Sequence, residues 1–250
     1  MDPAQFWSTG DYAVVGDLWS APGRDLAAAL PVRGRDVVDL ATGTGATAIA
    51  AARHRARSVA GVDVAPPLLE VARHRADAAG VDVTWLEADM ASVPLPSESA
   101  DLVTSTFGII FAADPRAALS EARRLTRPGG RVVFTSWSGT GLFGRIRQTL
   151  APYFPDSPEP WHETPEEIGS VAGPGAEVTE QAFTMTVASP EGFVDLMHRH
   201  SAPIIRGAHT IGDRWPQARA RLVDVVRASG EEHRGAFRIP VGYLVTTLTV

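Results

Sequence analysis

The sequence predicts an α/β protein with a doubly wound, mostly parallel sheet of seven strands and helices on both faces. Short apolar runs alternate with helical segments through residues 35–137, a glycine-rich loop follows the first run, and Pro128-Gly129-Gly130 forces a turn before the last. This alternation is typical of Rossmann-like folds, because a parallel strand needs a crossover that covers the sheet. We also expect an N-terminal helical segment and C-terminal lid insertions.

Five apolar runs supply the predicted parallel strands. They are Arg35–Ala41, Ser58–Val64, Val81–Glu87, Ala100–Thr106 and Arg131–Trp137. The segments between them have helical patterns, at Gly45–Arg55, Pro66–Ala79 and Ala113–Leu125. Prolines are tolerated in the first turn of the second of these helices, and Gly80 suits its C-terminal end.

The pattern is weaker after Gly139. Ala151–Pro165 is rich in proline and predicts an irregular loop, Phe183–Val187 predicts a strand, and Pro190–Arg206 and Trp215–Ala228 predict helices. The β-rich segment 235–250 would supply the final strand. We therefore expect a single domain over 1–250, with a cap segment (1–30), a cofactor-binding core (31–138), a substrate or lid region (139–234) and the final strand (235–250).

Composition excludes several classes of function. The 250 residues carry 23 basic and 29 acidic side chains, a net charge of −6, and no basic block, so nucleic acid is not an expected partner. Every Lys or Arg is arginine, which excludes mechanisms that need a lysine, such as a Schiff base. The chain has no cysteine, so disulfides and thiolate chemistry are excluded.

Neither a membrane nor a metal is expected. The N-terminus lacks the basic and apolar regions of a secretory signal, and no run of about 18 apolar residues occurs. These observations predict a cytoplasmic protein. The acids and histidines show no metal-ligand spacing, which predicts a metal-independent protein.

The glycine loop indicates a cofactor that contains a nucleoside. Gly43-x-Gly45-x-x-Ala48 follows the first strand, and Asp63 lies twenty residues further on, where a carboxylate can bind ribose hydroxyls. Nicotinamide and flavin enzymes share this pattern, so on its own it does not choose a cofactor.

Two further acids help to distinguish between the possible cofactors. Asp39 stands four residues before Gly43, where its carboxylate would repel a pyrophosphate but attract an amino-acid ammonium. Asp89 follows the third strand within Glu87-Ala88-Asp89-Met90, where an acid can accept a hydrogen bond from an adenine amine.

These segments together resemble the class I S-adenosylmethionine-dependent methyltransferases, most closely the small-molecule subgroup of quinone-biosynthesis enzymes. The similar segments are VVDLATGTG, GVDV, EADM and RPGGRVVFTSW, with Gly10-Asp11-Tyr12 and Trp19 ahead of them. One position departs from the family pattern: Ala41 stands where the family often has glycine.

The resemblance implies a role for each residue of the site. S-adenosyl-L-methionine, which leaves as S-adenosyl-L-homocysteine, would contact Tyr12, Asp39, Ala41, Thr42, Gly43, Gly45, Asp63, Val64, Leu68, Asp89, Met90, Thr106 and Phe107. The acceptor would contact Phe111, Trp137, Trp161 and Met197. If the reaction needs a base, His200 and His198 are the candidates, because the family places substrate contacts in the C-terminal part.

The expected activity is therefore methyl transfer to an oxygen, carbon or nitrogen of a small molecule, quinone-like or from secondary metabolism. Two alternatives stay open: an NAD(P)-dependent oxidoreductase, and a protein of the methyltransferase fold that binds the cofactor without transferring methyl. A monomer and a homodimer are both compatible with the sequence.

Overall fold

The computed structural model describes residues 3–250 and has one eight-stranded sheet. Its strands are β1 (Asp36–Leu40), β2 (Ser58–Asp63), β3 (Thr84–Glu87), β4 (Ala100–Thr106), β5 (Thr126–Trp137), β6 (Glu177–Val187), β7 (Glu231–His233) and β8 (Ala236–Thr249). They lie in the order β3-β2-β1-β4-β5-β8-β6, with β7 beside β8. β1 to β5 pair in parallel, β8 is antiparallel to β5, and β6 is antiparallel to β8. The predicted fold class is confirmed, with eight strands instead of seven.

Helices connect and cover these strands. Those described are α1 (Pro3–Trp7), α2 (Tyr12–Gly16), α3 (Ala21–Ala29), α4 (Ala46–Arg53), α5 (Pro66–Ala79), α6 (Pro115–Leu125), α7 (Leu142–Leu150), α8 (Pro165–Ala172), α9 (Pro190–His200), α10 (Ala202–Ile211) and α11 (Trp215–Arg227). Short 3₁₀ turns add Asp17–Trp19 and Ile109–Phe111 near the site. Within residues 3–250 no helix is long and apolar enough to cross a membrane.

Burial explains why the central strands could be predicted. The last four residues of β1 are all buried, as are the last six of β5, where Phe134 is fully enclosed. Strands covered on both faces need side chains that are apolar throughout, and this produces the continuous runs seen in the sequence.

The structure corrects several predicted boundaries. β6 begins at Glu177 rather than Phe183. Its first half has no apolar pattern in the sequence, because β6 is a polar edge strand with mostly exposed side chains. The helix expected over Pro190–Arg206 breaks at Ser201, since Pro203 lacks the N–H that would continue it. α7 and α8 were not predicted.

The turn expected at Pro128-Gly129-Gly130 is an irregularity within β5. The pairing with β4 shifts there, from Ala100 opposite Thr126 to Leu102 opposite Arg131. Gly129 has a φ of +78°, which glycine adopts without strain.

The strand order places a crevice between β1 and β4. From β1 the chain continues to β2 and β3 on one side, then returns to β4 and β5 on the other. Connections leave the carboxyl ends of β1 and β4 in opposite directions, so these ends are not covered. Ligands of doubly wound sheets bind at such a switch point.

A close contact between β2 and β3 gives a test of this packing. A Cβ added to Gly61 would lie 2.5 Å from Cζ3 of the Trp85 ring. We expect Gly61→Ala to lower the free energy of unfolding by about 1–3 kcal/mol through overpacking, measured by urea denaturation. Gly169→Ala is the matched control, because no heavy atom lies within 4 Å of its added Cβ. Equal losses in both variants would contradict the packing argument.

Candidate functional site

A cavity of about 1150 Å³, including its open mouth, lies at the carboxyl ends of β1, β2 and β4. Every predicted cofactor residue except Gly45 lines it. These lining residues are Tyr12, Asp39, Ala41, Thr42, Gly43, Asp63, Val64, Leu68, Asp89, Met90, Thr106 and Phe107. The fold therefore brings together at one cavity residues that are far apart in the sequence.

The two glycines of the loop have different surroundings. Gly43 has a φ of +55° and borders the cavity, and a Cβ added to it would meet nothing within 4 Å. Gly45 has a φ of +83° and is the N-cap of α4, where an added Cβ would lie 2.7 Å from the Trp85 ring. Gly45 is thus required for packing under the loop, whereas Gly43 leaves the backbone open to the cavity.

Ala41 occupies a position that favours glycine. Its φ is +51°, in the left-handed region, where the backbone of a residue with a Cβ is strained. The methyl group packs against Gly108, where any Cβ would collide with it. Because Gly108 has no side chain, it leaves room for the Ala41 methyl group, at a position where the family often has glycine.

Asp39 is a buried carboxyl group that accepts hydrogen bonds from two threonine hydroxyls, with a further backbone hydrogen bond from Ala48. Thr42 Oγ1 donates to Oδ2 at 2.6 Å, and Thr104 Oγ1 donates to Oδ1 at 2.7 Å. The side chain is 1% exposed, and this burial raises the pKa of Asp39 to about 6, against the lowering effect of the two threonines. A cation that reached this carboxyl group would stabilise its charged form.

Asp63 joins the glycine loop to the end of β2. Its Oδ2 accepts the Gly43 N–H at 2.8 Å, and its Oδ1 accepts the Ala65 N–H at 2.9 Å. Burial raises the pKa of Asp63 above its usual range, while these backbone donors oppose the shift. Each carboxylate oxygen has a second lone pair, so Asp63 can still accept hydrogen bonds from a ligand.

The loop after β3 supplies the third acid. Asp89 is exposed at the cavity and accepts the Ala91 N–H at 2.8 Å, which holds the loop in a turn. Met90, Val64 and Leu68 add apolar surface beside it. An acid next to apolar side chains suits a flat heterocycle with an amine at its edge.

The end of β4 has a strained backbone and a hydroxyl pair. Phe107 has a φ of +56°, and its N–H donates to Thr135 Oγ1 at 2.9 Å. Thr106 Oγ1 lies 2.8 Å from Thr47 Oγ1 of α4. Such strain is often found at functional sites, where the surrounding structure holds it in place.

The N-terminal segment forms part of the cavity wall. Pro3, Trp7, Tyr12, Trp19 and Ser20 all line it. Burial raises the pKa of Tyr12 to about 12, so its hydroxyl keeps its proton at neutral pH.

An ion pair attaches this segment to the core. The Arg75 guanidinium donates to both oxygens of Asp17, at 2.6 and 2.9 Å, and to Thr44 Oγ1 of the glycine loop at 3.0 Å. The segment and the loop thus share one arginine.

The predicted acceptor residues are in different places. Phe111 lines the cavity mouth. Trp137 and Met197 are buried in the hydrophobic core, and Trp161 packs against it. None of these three is among the described lining residues, so their predicted acceptor contacts have no support from the geometry.

The predicted bases also lie away from the cavity. His198 and His200 are on α9, where the His198 ring packs 4.7 Å from that of Trp215. No histidine is among the lining residues described, and none of those residues comes from the predicted substrate region 139–234. Both assignments stay predictions without support from this geometry.

Sequence reasoning missed several lining residues, among them Trp7, Gly23 and Thr47. A Cβ on Gly23 would lie 2.5 Å from Thr47 Oγ1, so α3 approaches α4 closely there. The helices of the first twenty residues are too short to show a periodic pattern. The clustering of aromatic residues there was therefore the signal that could have indicated Trp7.

Comparison with known proteins agrees with this geometry. Residues 38–134 match the family model described as a methyltransferase domain. These residues belong to the methyltransferase domain family. The family expected from the sequence is confirmed, and the matched segment contains the glycine loop and all three acids.

Two relatives match longer stretches of the chain than the family model does. An uncharacterised protein of Mycobacterium tuberculosis is 36% identical over 156 residues, which cover 62% of this chain and 57% of that protein. Demethylmenaquinone methyltransferase of Thermus thermophilus is 40% identical over 131 residues, covering 51% and 59%. The chain thus matches a little over half the length of these relatives.

Solved structures share the fold of the methyltransferase domain and its surroundings. Geranyl diphosphate methyltransferase, solved in complex with S-adenosylmethionine, has a TM-score of 0.55 at 16% identity and covers 95% of this chain and 89% of its own. The [4+2]-cyclase SpnF has a TM-score of 0.51 at 19% identity and covers 91% and 80%. At these identities the likeness concerns the fold alone.

The buried Asp39 predicts a pH-dependent stability. The folded state holds this proton up to a pH of about 6, whereas an unfolded aspartate loses it near 3.9. The free energy of unfolding should therefore decrease as the pH rises from about 3.9 to about 6, by on the order of 3 kcal/mol at most. We expect Asp39→Asn to be more stable than the wild type at pH 8, with the difference shrinking toward pH 4 in urea denaturation.

Asp82→Asn is the control, because Asp82 is exposed and is not among the lining residues. It should follow the wild type at both pH values. An Asp39→Asn variant that is destabilised equally at pH 4 and pH 8 would contradict the effect of burial.

Proposed function

We propose that the protein transfers a methyl group from S-adenosylmethionine to a small, flat, largely apolar acceptor of quinol type. The observation that carries this proposal is the arrangement of Asp39, Asp63 and Asp89 around one cavity with aromatic rings at its mouth. The match to the methyltransferase domain family supports it.

The residues fit the cofactor. Its amino-acid end carries an ammonium, and Asp39 is a buried carboxyl group with no cation among the partners described for it. Asp63 retains free lone pairs for the ribose hydroxyls, and Asp89 can accept from the adenine amine. Val64 and Leu68 would cover the adenine, and Met90 would add a backbone contact.

The protein contributes orientation and exclusion of water. When bound, S-adenosylmethionine supplies a sulfonium methyl group already activated toward a nucleophile. Gly43 lets the backbone approach the ligand closely, and the Arg75–Asp17 pair holds the N-terminal segment over it. Positioning of this kind can account for a large part of a rate enhancement.

The mouth favours an acceptor without charge. Among the lining residues described, the titratable ones are Asp39, Asp63, Asp89 and Tyr12, and the mouth is formed by Trp7, Phe111 and small residues. With the Tyr12 pKa raised to about 12, this side chain is too weakly acidic to exchange protons readily at neutral pH. The Thermus relative is named for methylation of a demethylmenaquinone, which agrees with a quinol-type acceptor.

The surroundings of Asp39 do not favour an NAD(P)-dependent oxidoreductase. A pyrophosphate over the glycine loop would meet the carboxyl group of Asp39 at the cavity wall. An acid at this position raises the energy of a bound anion. Catalysis without methyl transfer stays a separate alternative, because the SpnF cyclase shares the fold.

Calorimetry separates these alternatives at the level of binding. We expect S-adenosylhomocysteine to bind and NAD to bind far more weakly. Asp39→Asn should weaken S-adenosylhomocysteine binding at least about tenfold, since a hydrogen bond to a charged group contributes roughly 1.5–3 kcal/mol. Wild-type affinity should also decline as the pH falls below about 6, where Asp39 takes up a proton.

Asp82→Asn is the matched control and should bind like the wild type. Tight NAD binding without S-adenosylhomocysteine binding would overturn the proposal. Turnover is tested by the release of S-adenosylhomocysteine with hydroquinone and menadiol as acceptors. Cofactor binding without release across phenol, quinol and amine acceptors would favour the non-methylating alternative.

A further inference from the structure

We propose that Trp7 and Phe111 form an aromatic gate, through which the acceptor reaches the cavity and by which flat apolar molecules are selected. The inference rests on the proposed function for the identity of the acceptor, but its test does not depend on turnover. It assigns a role to two residues at the mouth that belong to separate parts of the chain.

The two rings meet across the mouth of the cavity. Trp7 is at the end of α1, and Phe111 ends the 3₁₀ turn that follows β4. Their ring centroids are 4.9 Å apart at an interplanar angle of 72°, an edge-to-face contact, and both side chains line the cavity. A molecule that enters between α1 and this turn must separate them.

One side of the gate is fixed by further rings. Trp7 packs edge-on against Phe6 and Tyr12, with centroids at 5.0 and 5.3 Å. Tyr12 in turn contacts Trp19, which is buried beside Trp137. Trp7 is therefore connected through successive rings to the hydrophobic core.

The other side has fewer contacts with aromatic rings. Phe111 is 41% exposed, although large apolar side chains are usually more buried. Trp7 is its only ring contact among the described residues. Rotation of this one ring away from Trp7 would open the mouth while leaving the core packing in place.

The surroundings of the gate indicate what passes through it. Beside Phe111 the cavity wall consists of Gly108, Ala112 and Ala113, which leave room for a flat ring. An aromatic molecule could make the edge-to-face contact with Phe111 that Trp7 makes in its absence. The acids Asp39 and Asp63 disfavour an anionic acceptor. The chemistry therefore matches a neutral, planar ring.

The test measures association without catalysis. Menadione, a flat neutral naphthoquinone, is mixed with the protein in a stopped-flow instrument, and quenching of tryptophan fluorescence reports its binding. Phe111→Ala should raise the association rate constant about fivefold, because no ring has to move aside. Trp7→Leu, which removes the other ring, should raise it in the same direction.

Phe183→Ala is the matched control. Phe183 is partly buried, makes one edge-on ring contact, with Tyr243 at 6.0 Å, and is not among the lining residues. Its association rate constant should equal that of the wild type. A naphthoquinone with one prenyl group should gain more from Phe111→Ala than menadione does, because it is wider.

Three results would overturn the gate. These are equal association rates in the wild type and Phe111→Ala, an equal gain in Phe183→Ala, and no menadione binding to any variant. The proposed function fails by a different measurement, the absence of S-adenosylhomocysteine binding in calorimetry. The two failures are therefore distinguishable.

Discussion

The site depends on two carboxyl groups, Asp39 and Asp63, that are buried with only neutral hydrogen-bond donors among their described partners. Burying a charge without a counterion is costly, and the raised pKa of both groups reflects this. A fold keeps such groups where a ligand supplies what is missing. Here the missing groups would be an ammonium and two hydroxyls, so the same burial that reduces stability also defines the ligand.

The sequence predicted the parallel half of the sheet and about half of the residues that line the cavity. Both successes have one physical reason. Strands β1, β4 and β5 are covered on both faces, so burial itself produces their apolar runs. The carboxyl ends of parallel strands meet at one edge, so the acids at the ends of β1 and β2 and just after β3 fall around one cavity. In this half of the sheet, the local sequence pattern identifies the strands and the parallel topology then places their ends together.

The rest depends on tertiary contacts that leave little local pattern. β6 is a polar edge strand, and only its pairing with β8 makes it a strand. Gly45 has the spacing of a ligand-binding glycine, but it accommodates Trp85, a residue forty positions away. Trp7 lies in a helix of five residues and lines the cavity, where its ring contacts Phe111 of a distant segment. No periodicity within the first twenty residues indicates that contact.

Ala41 makes the shape of the loop depend on the packing beneath it. A left-handed backbone at a residue with a Cβ costs roughly 1–2 kcal/mol relative to glycine. An unpacked loop would therefore leave the left-handed region at Ala41, whereas glycine could remain there. The contact between the Ala41 methyl group and Gly108 is part of what holds the native conformation. A ligand that binds over residues 41–45 would add to this support, so binding and the folding of the loop are coupled.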